Sequence, residues 1–338
     1  MEKNFKTEIT KIHYNKDAKG AVFKVLKFAS LFYGIGSGLK NFLYDKKLLT
    51  PRKVEARVIS IGNITTGGVG KTPVVCELAK YLKSKGENVA IVSRGYGGKL
   101  SNKNINVISD SKEIFYNAQM AGDEPFWLAK NTGCAVVTSK SRYNAAKYAV
   151  ENFGATVILL DDGFQHRKLH RDIDIVLMDS VKGFGNENLL PAGPLREGLE
   201  AFNRIDKFVI VSKSVDHKRA EKLAKIMSKK MKVETSICKV EPDYIYNIEN
   251  GEIIDKAQSA TALCAIGQPE QFFEFLKDYD IKEKITFDDH HQYTPDDIKN
   301  ISGPIITTEK DAVKLLPFGF DNIYALKLKT CIDVAALL

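Results

Sequence analysis

The chain has 338 residues, a length that favours two domains or one large one. Apolar residues make up 44% and charged residues 27%, as in ordinary globular proteins, which excludes disordered and collagen-like classes. Lys and Arg number 50 against 42 Asp and Glu, and the first 57 residues hold the whole excess, with 13 basic and 5 acidic residues. The rest of the chain is neutral, so no basic patch for nucleic acid is expected there. The five cysteines are scattered and odd in number, which is typical of reduced thiols in a cytosolic protein.

The N-terminal segment combines lysines with large apolar side chains, and residues 22–44 read VFKVLKFASLFYGIGSGLKNFLY. Its longest uncharged run, Phe28–Leu39, has 12 residues, whereas a membrane-spanning helix needs about 20. Gly34, Gly36 and Gly38 are expected to weaken or bend a helix here. Two interpretations stay open, a core helix with solvated lysines or an interfacial helix on an anionic membrane surface. We assign residues 1–55 to a basic, amphipathic, membrane-associating segment.

From Arg57 onwards, short β-branched runs alternate with longer amphipathic stretches, which predicts βαβ units and a mainly parallel sheet. The predicted strands of the first series are Val58–Ile61, Val89–Ser93, Ala135–Thr138, Val157–Leu160, Ile173–Met178 and Phe208–Val211, and its predicted helices are Pro73–Lys85, Arg142–Asn152 and His217–Lys230. A smaller series follows at Ala260–Ile266, Pro269–Leu276, Pro295–Ile301, Ile305–Thr307 and Ile323–Leu328. The boundary is expected in Glu241–Lys256. The predicted class is α/β, with a P-loop NTPase-type domain over 56–240 and a smaller α/β domain over 241–338.

A glycine-rich loop follows the first of these strands, where RVISIG runs into NITTGGVGKTP. Its glycines let backbone N–H groups turn inward around phosphate oxygens, Lys71 supplies a positive charge, and Thr72 offers a hydroxyl to Mg²⁺. The predicted nucleotide-binding residues are Thr65, Thr66, Gly67, Gly68, Val69, Gly70, Lys71 and Thr72. Thr65 stands where the usual pattern has glycine, and Thr66 stands where partitioning-type ATPases carry an extra lysine. The loop therefore indicates ATP binding and disfavours a switch of the partitioning class.

Two carboxylates follow another apolar strand, in TVILLDDGFQHR. Parallel strands bring their carboxyl ends to one edge of a sheet, so Asp161 and Asp162 are expected beside the phosphate loop. There they can hold Mg²⁺ directly or through water, and the sequence leaves open which of the two contacts the metal.

Together these motifs resemble the tetraacyldisaccharide 4'-kinases of the lipid A pathway. The resemblance is carried by GNITTGGVGKTP, SRGYGG (93–98), AGDEP (121–125), DDGFQHR (161–167), LLPAGPLRE (189–197), DHH (289–291) and TTEKDAVKL (307–315). It implies transfer of the ATP γ-phosphate to the 4'-hydroxyl of a tetraacylated glucosamine disaccharide 1-phosphate, which gives lipid IVA. It also implies a peripheral enzyme on the cytoplasmic face of a Gram-negative inner membrane, with ATP and Mg²⁺ as cofactors and no protein partner.

The resemblance extends to individual residues. Phosphoryl transfer needs a group that orients and deprotonates the acceptor hydroxyl, and Asp123 is the candidate base. From the sequence alone, Asp123 could instead be a helix N-cap. The resemblance implies that His290 pairs with Asp123, with the neighbouring His291 leaving the register open, and that Glu197 is a further Mg²⁺ ligand beside Thr72, Asp161 and Asp162. Because Asp123 and His290 fall in different predicted domains, we expect them to meet when the domains close.

Two other functions fit part of the sequence pattern. The first is a membrane-associated P-loop ATPase switch that acts through partner binding, which the missing partitioning-type lysine and the second α/β domain disfavour. The second is a small-metabolite kinase, which would leave the cationic, aromatic N-terminal segment unexplained.

Overall fold

The computed structural model describes residues 2–101, 104–254, 259–267, 269–289 and 291–338. The helices in these ranges are α1 (Glu2–Tyr14), α2 (Ala21–Asp45), α3 (Lys71–Ser84), α4 (Ala118–Ala121), α5 (Asp123–Thr132), α6 (Arg142–Phe153), α7 (Lys218–Met231), α8 (Pro269–Phe275) and α9 (Glu309–Leu315). The strands are β1 (Arg57–Asn63), β2 (Val89–Ser93), β3 (Asn106–Asp110), β4 (Ala135–Thr138), β5 (Val157–Asp161), β6 (Ile173–Asp179), β7 (Lys207–Ser212), β8 (Glu234–Asn247), β9 (Ile253–Ile254), β10 (Ala260–Cys264), β11 (Ile281–Thr286), β12 (Ile305–Thr308) and β13 (Ile323–Cys331).

All of these strands belong to one mixed, mostly parallel sheet in the order β11-β10-β12-β13-β8-β7-β6-β1-β5-β2-β4-β3, with β9 paired to β8. Strand β1 lies between β5 and β6, and both pairings are parallel. The carboxyl ends of β5, β1, β6 and β7 therefore meet at one edge. The predicted α/β class is confirmed, and the six predicted strands of the first series agree with the structure to within two residues at each end.

Helices cover both faces of the parallel part of the sheet. On one face, α3 packs buried side chains such as Leu78 against β1 and β5, and α5 packs buried side chains such as Leu128 beside α3, against β3 and β4. On the other face, α6 contributes small residues, Ala145 and Ala149, which let it lie close to Ile158. Strands buried on both faces need nearly continuous apolar sequence, which is why these strands were recognisable as short β-branched runs.

The second series of elements joins the first through β8. This strand pairs in parallel with β7 and antiparallel with β13, so it runs through the expected boundary and the two units share one sheet. The division at 240/241 stays a prediction. The stretch Pro295–Ile301 of the predicted second series contains a single 3₁₀ turn, Pro295–Asp297, and Gly303 and Pro304 follow closely and leave little room for a longer helix.

Helix α2 runs without interruption through Gly34, Gly36 and Gly38. Only Ser30 and Tyr44 of this helix are buried, whereas Phe28 and Ile35 are 64% and 67% exposed. The interpretation of this segment as a core helix is therefore wrong. By length and composition alone, α2 could cross a membrane, and it is the one helix of the described residues to pass that test, which is weak evidence.

The carboxyl-terminal half of α2 is fastened to the body of the protein. Arg167 binds Asp45 at 2.7 Å, and its guanidinium lies over the Tyr44 ring. Lys40 donates a hydrogen bond to the Gln165 carbonyl at 2.8 Å. An exposed apolar helix is thus fixed next to the loop that follows β5.

Candidate active site

The phosphate loop connects β1 to α3, with Gly67 at φ 105° and Gly70 at φ 102°, values that favour glycine. Side chains of other elements bind two carbonyl groups of this loop. The Thr66 carbonyl accepts a hydrogen bond from the Tyr14 hydroxyl at 3.2 Å, and the Gly68 carbonyl accepts one from Lys213. These two hydrogen bonds fix the loop in the conformation that its glycines permit, which suits a phosphate cradle. The 14-residue α3 begins at Lys71 and directs its positive end to the same place.

Lys71 and Arg196 hold Asp162 between them. The Lys71 Nζ lies 3.4 Å from Asp162 and donates to the Asn63 Oδ1 at 3.1 Å. Arg196 donates from one nitrogen to both Asp162 oxygens, at 2.8 and 2.9 Å. Although burial acts to raise it, these two cations lower the pKa of Asp162 to about 2. Asp162 is therefore a fixed negative charge that positions the phosphate-loop lysine.

Asp161 has the opposite environment. It ends β5 opposite Ile61 of β1, is buried, and its Oδ1 has no hydrogen-bond partner among the described residues. Burial raises its pKa, and the neighbouring Glu124 carboxylate adds to that shift. A buried carboxylate oxygen without a donor is suited to a divalent cation, which would supply the missing positive charge.

The other predicted metal ligands are less closely grouped. Glu197 is buried, but its Oε2 binds the Asn41 amide of α2 at 2.6 Å and the Arg204 guanidinium. Thr72 is half-buried in the first turn of α3. Within the described ranges, no three His, Cys, Asp or Glu side chains lie close enough to form a metal cluster. A metal here would need ligands from the nucleotide, as Mg²⁺ usually does.

Asp123 begins α5 directly after Gly122, so it is the first helical residue and not the N-cap. Its carboxylate lies 3.2 Å from the Lys314 Nζ of α9 and is 10% exposed. Lys314 also donates to the His291 carbonyl at 3.3 Å. The two units are therefore in contact beside Asp123, at the segment that contains the DHH motif. His290 itself lies outside the described residues.

A cleft of about 390 Å³ lies between α2 and the Asp162 loop. It is lined by Phe32, Tyr33, Gly36, Ser37, Lys40, Asn41, Gln165, Arg196 and Glu197. Burial lowers the pKa of Lys40, and Arg204 and Arg167 act in the same direction. On its α2 side the cleft thus combines the aromatic rings of Phe32 and Tyr33 with the Lys40 cation, and the opposite side includes the Asp162-binding Arg196.

Three residues of this site had no predicted role: Asn63, Arg196 and Lys213. Asn63 is the last residue of β1, and Lys213 directly follows β7. Polar residues at the carboxyl ends of parallel strands are a usable signal for sites of this kind. Arg196 lies within LLPAGPLRE, but its contact with Asp162 depends on loop geometry that spacing does not reveal.

The fold and the site define a P-loop phosphotransferase. Residues 22–338 match the family described as Tetraacyldisaccharide-1-P 4'-kinase. Among curated relatives, a tetraacyldisaccharide 4'-kinase of Halothermothrix orenii is 37% identical over 330 residues, covering 89% of this chain and 84% of the relative. A second such kinase, from Desulfotalea psychrophila, is 37% identical over 323 residues, covering 90% and 91%.

A solved structure agrees with these relatives. The crystal structure of the "apo" form of LpxK from Aquifex aeolicus in complex with ATP superposes with a TM-score of 0.75. It is 32% identical, and the match covers 93% of this chain and 96% of that one. The chain belongs to the tetraacyldisaccharide 4'-kinase family, and it is an enzyme that transfers a phosphoryl group to an alcohol. The predicted family, fold class and enzyme class are confirmed.

The Asp162 environment generates a prediction about pH. Its pKa is about 2 in the folded protein and about 3.9 in an unfolded chain. The charged carboxylate therefore stabilises the fold above about pH 4, and this contribution is lost as the pH falls through about 2. Asp162→Asn should lower the free energy of unfolding at pH 7 and 5, and the deficit should shrink at pH 3, as measured by urea unfolding. Asn tolerates the φ of 57° at this position.

Asp296→Asn is the matched control, because Asp296 is exposed and its ion pair within the described ranges is with Lys299, three residues away. Its effect on unfolding should be small at each pH. A deficit for Asp162→Asn that stays constant from pH 7 to pH 3 would contradict the ion-pair account.

Proposed function

We propose that the chain transfers the ATP γ-phosphate to the 4'-hydroxyl of a tetraacylated glucosamine disaccharide 1-phosphate and thereby forms lipid IVA. The observation that carries this proposal is an unbroken series of contacts from the phosphate loop to the cleft beside α2. The phosphate-loop lysine binds Asp162, Asp162 binds Arg196, and Arg196 lines the cleft whose other wall is the exposed apolar helix α2. A nucleotide site and a lipid-facing surface are thus joined by direct contacts. The same continuity disfavours the alternative of an ATPase switch, which would not need an acceptor cleft.

ATP is bound by the phosphate loop, with Lys71 on the phosphates and the N-terminus of α3 facing them. For Mg²⁺, we assign the Thr72 hydroxyl and Asp161, whose unpartnered buried Oδ1 fits a hard cation. Asp162 keeps its ion pairs with Lys71 and Arg196, and Glu197 keeps its contacts with Asn41 and Arg204. We therefore assign both carboxylates to positioning these partners and not to the metal. When bound, Mg²⁺ neutralises charge that develops on the transferred phosphoryl group.

The acceptor hydroxyl is oriented and deprotonated by Asp123, with His290 as its partner. Support for this assignment comes from Lys314, which contacts both the Asp123 carboxylate at the start of α5 and the carbonyl of His291. Lys314 holds one Asp123 oxygen at 3.2 Å, which restricts the carboxylate to a defined orientation. The reaction then depends on positioning more than on covalent chemistry.

The disaccharide headgroup is assigned to the cleft beside α2. Lys40 and Arg196 suit a sugar phosphate in charge, and Gln165 can hydrogen-bond sugar hydroxyls. Phe32 and Tyr33 provide flat apolar surfaces where the sugar meets its acyl chains. The substrate would thus present its 4'-hydroxyl to the edge of the sheet while its acyl chains stay on the side of α2.

The N-terminal segment places the enzyme on an anionic membrane surface. The exposed side chains Val25, Phe28, Leu31 and Ile35 form an apolar patch of the kind that marks interaction surfaces. Lys24 and Lys27 lie on the same helix and can meet lipid phosphates. We assign the enzyme to the cytoplasmic face of the inner membrane, where ATP is supplied, as a peripheral protein.

Lys71 should be essential for transfer. The assay uses [γ-³²P]ATP and acylated disaccharide 1-phosphate in mixed micelles. Lys71→Ala should lower the rate at least about a thousandfold, because it removes the positive charge that contacts the transferred phosphate. Lys80→Ala is the control, since Lys80 lies on the same helix but pairs with Glu77 at the surface. Label that appears only as free phosphate with the native enzyme would contradict the kinase proposal.

Asp123 and His290 should affect turnover and not nucleotide binding. Asp123→Asn and His290→Ala should each lower kcat by about a hundredfold or more, because proton transfer from the acceptor is lost. ATP affinity, measured by equilibrium dialysis, should change less than about threefold, since neither residue is assigned to the nucleotide. Full turnover of either variant would remove that residue from the mechanism.

The exposed side chains of α2 should govern membrane binding. A double variant, Phe28→Asp with Ile35→Asp, should dissociate from vesicles of anionic phospholipid, because two exposed apolar anchors become charged. Cosedimentation measures the bound fraction. Ile226→Asp is the control, since Ile226 is an exposed apolar residue on α7. Equal binding of the double variant and the control would exclude α2 as the membrane surface.

A further inference from the structure

Lys213 lies directly after β7, and its side chain reaches back to the phosphate loop. The Nζ donates a hydrogen bond to the Gly68 carbonyl. Its Cε would lie 3.2 Å from a Cβ added at Gly70, so the aliphatic part of the side chain packs against the turn that leads into α3. Lys213 therefore contacts the phosphate loop at two of its glycines.

The positive charge of Lys213 is only partly balanced. The side chain is 16% exposed, and the Asp179 Oδ2 lies 3.8 Å from the Nζ. Asp179 uses its Oδ1 to accept hydrogen bonds from the backbone N–H groups of Val181 and Lys182, at 2.8 and 3.0 Å. Its Oδ2 has no hydrogen-bond partner in the described part of the chain. The carboxylate orients Lys213 without forming a close ion pair.

Other cations surround the same point. Burial lowers the pKa of Lys213 to about 8, and the charges of Lys182 and Lys71 act in the same direction, against Asp179. Lys71 is paired with Asp162, and the carboxylate beside Lys213 is Asp179 at 3.8 Å. Because this ion pair is long, an anion at the phosphate loop would be favourable for the partly buried Lys213 ammonium.

We propose that Lys213 is a second nucleotide-binding lysine, which fixes the phosphate loop through the Gly68 carbonyl and adds its charge to that of Lys71 on the phosphates of ATP. Asp179 is the positioning residue that directs it. This inference rests on the proposed use of ATP but not on the assignment of the acceptor or its base. It extends the nucleotide site from β1 to β7, across the intervening strand β6.

The test measures nucleotide binding without lipid. Lys213→Met keeps the length and apolar packing of the side chain and removes its charge, so the affinity for ATP and ADP should fall about tenfold or more, since bonds to charged groups are the stronger ones. Lys213→Arg should stay within about threefold of the native chain, because it retains the charge. Binding of adenosine, which has no phosphate, should not change in either variant. Isothermal titration or equilibrium dialysis gives the constants.

Lys207→Met is the matched control, because Lys207 starts the same strand and pairs with Glu234 at the opposite end. The variants should unfold at the same temperature as the native chain, which separates a loss of binding from a loss of fold. The salt dependence adds a second readout: the slope of log affinity against log salt should be smaller for Lys213→Met, since one cation–phosphate contact is lost.

Two results would overturn the inference. One is an ATP affinity of Lys213→Met within about twofold of the native value, and the other is an equal loss for ATP and adenosine, which would show a purely structural role. If Lys213→Met unfolds at a lower temperature than the native chain, the ATP affinities of Lys213→Gln and Lys213→Arg are compared instead, because these two side chains are of similar size and differ in charge. Normal ATP binding without any lipid phosphorylation would contradict the proposed acceptor and leave the role of Lys213 standing.

Discussion

The Asp162 carboxylate, held between Lys71 and Arg196, is the contact on which the arrangement of the site depends. It joins three segments that are remote in sequence: the phosphate loop, the turn after β5 and the loop that ends at Glu197. Asp162 sits at φ 57°, in the left-handed region that Asp and Asn adopt more readily than other side chains. With its pKa lowered by two cations, Asp162 stays charged throughout the physiological range, and Lys71 is therefore presented to the nucleotide in a defined position.

The adjacent Asp161 shows how two identical side chains acquire different chemistry from their environments. Asp161 continues β5 and points into a buried region with an unsatisfied oxygen, whereas Asp162 has left the strand and meets cations. Burial without a partner favours the neutral form, and ion pairing favours the charged form. Asp161 is thus suited to bind a metal ion together with the nucleotide, whereas Asp162 is already paired with Lys71 and Arg196. This difference supports Asp161 as the metal ligand of the pair.

The sequence predicted the parallel part of the fold well because its strands are buried on both faces and read as short β-branched runs. It predicted the phosphate loop and both aspartates because glycines and strand ends have strong local signals. Strand β8 was missed because it is half-exposed and contains Pro242, so its pattern resembled a linker. The contacts of Lys213 and Arg196 were not predictable, since each depends on a loop that returns across the sheet edge. The burial of α2 was left open because charge segregation alone fits both a core helix and an interfacial one.

Helix α2 joins an exposed apolar surface to the candidate active site. Its residues from Phe32 to Asn41 line the cleft, and Asn41 holds the same Glu197 carboxylate that Arg204 binds. The exposed apolar side chains of α2 begin at Val22, ahead of the cleft along the helix, and continue past it to Phe42. If this face of α2 is the membrane surface proposed above, a lipid whose sugar lies in the cleft keeps its acyl chains beside the helix, and its hydroxyl reaches the sheet edge.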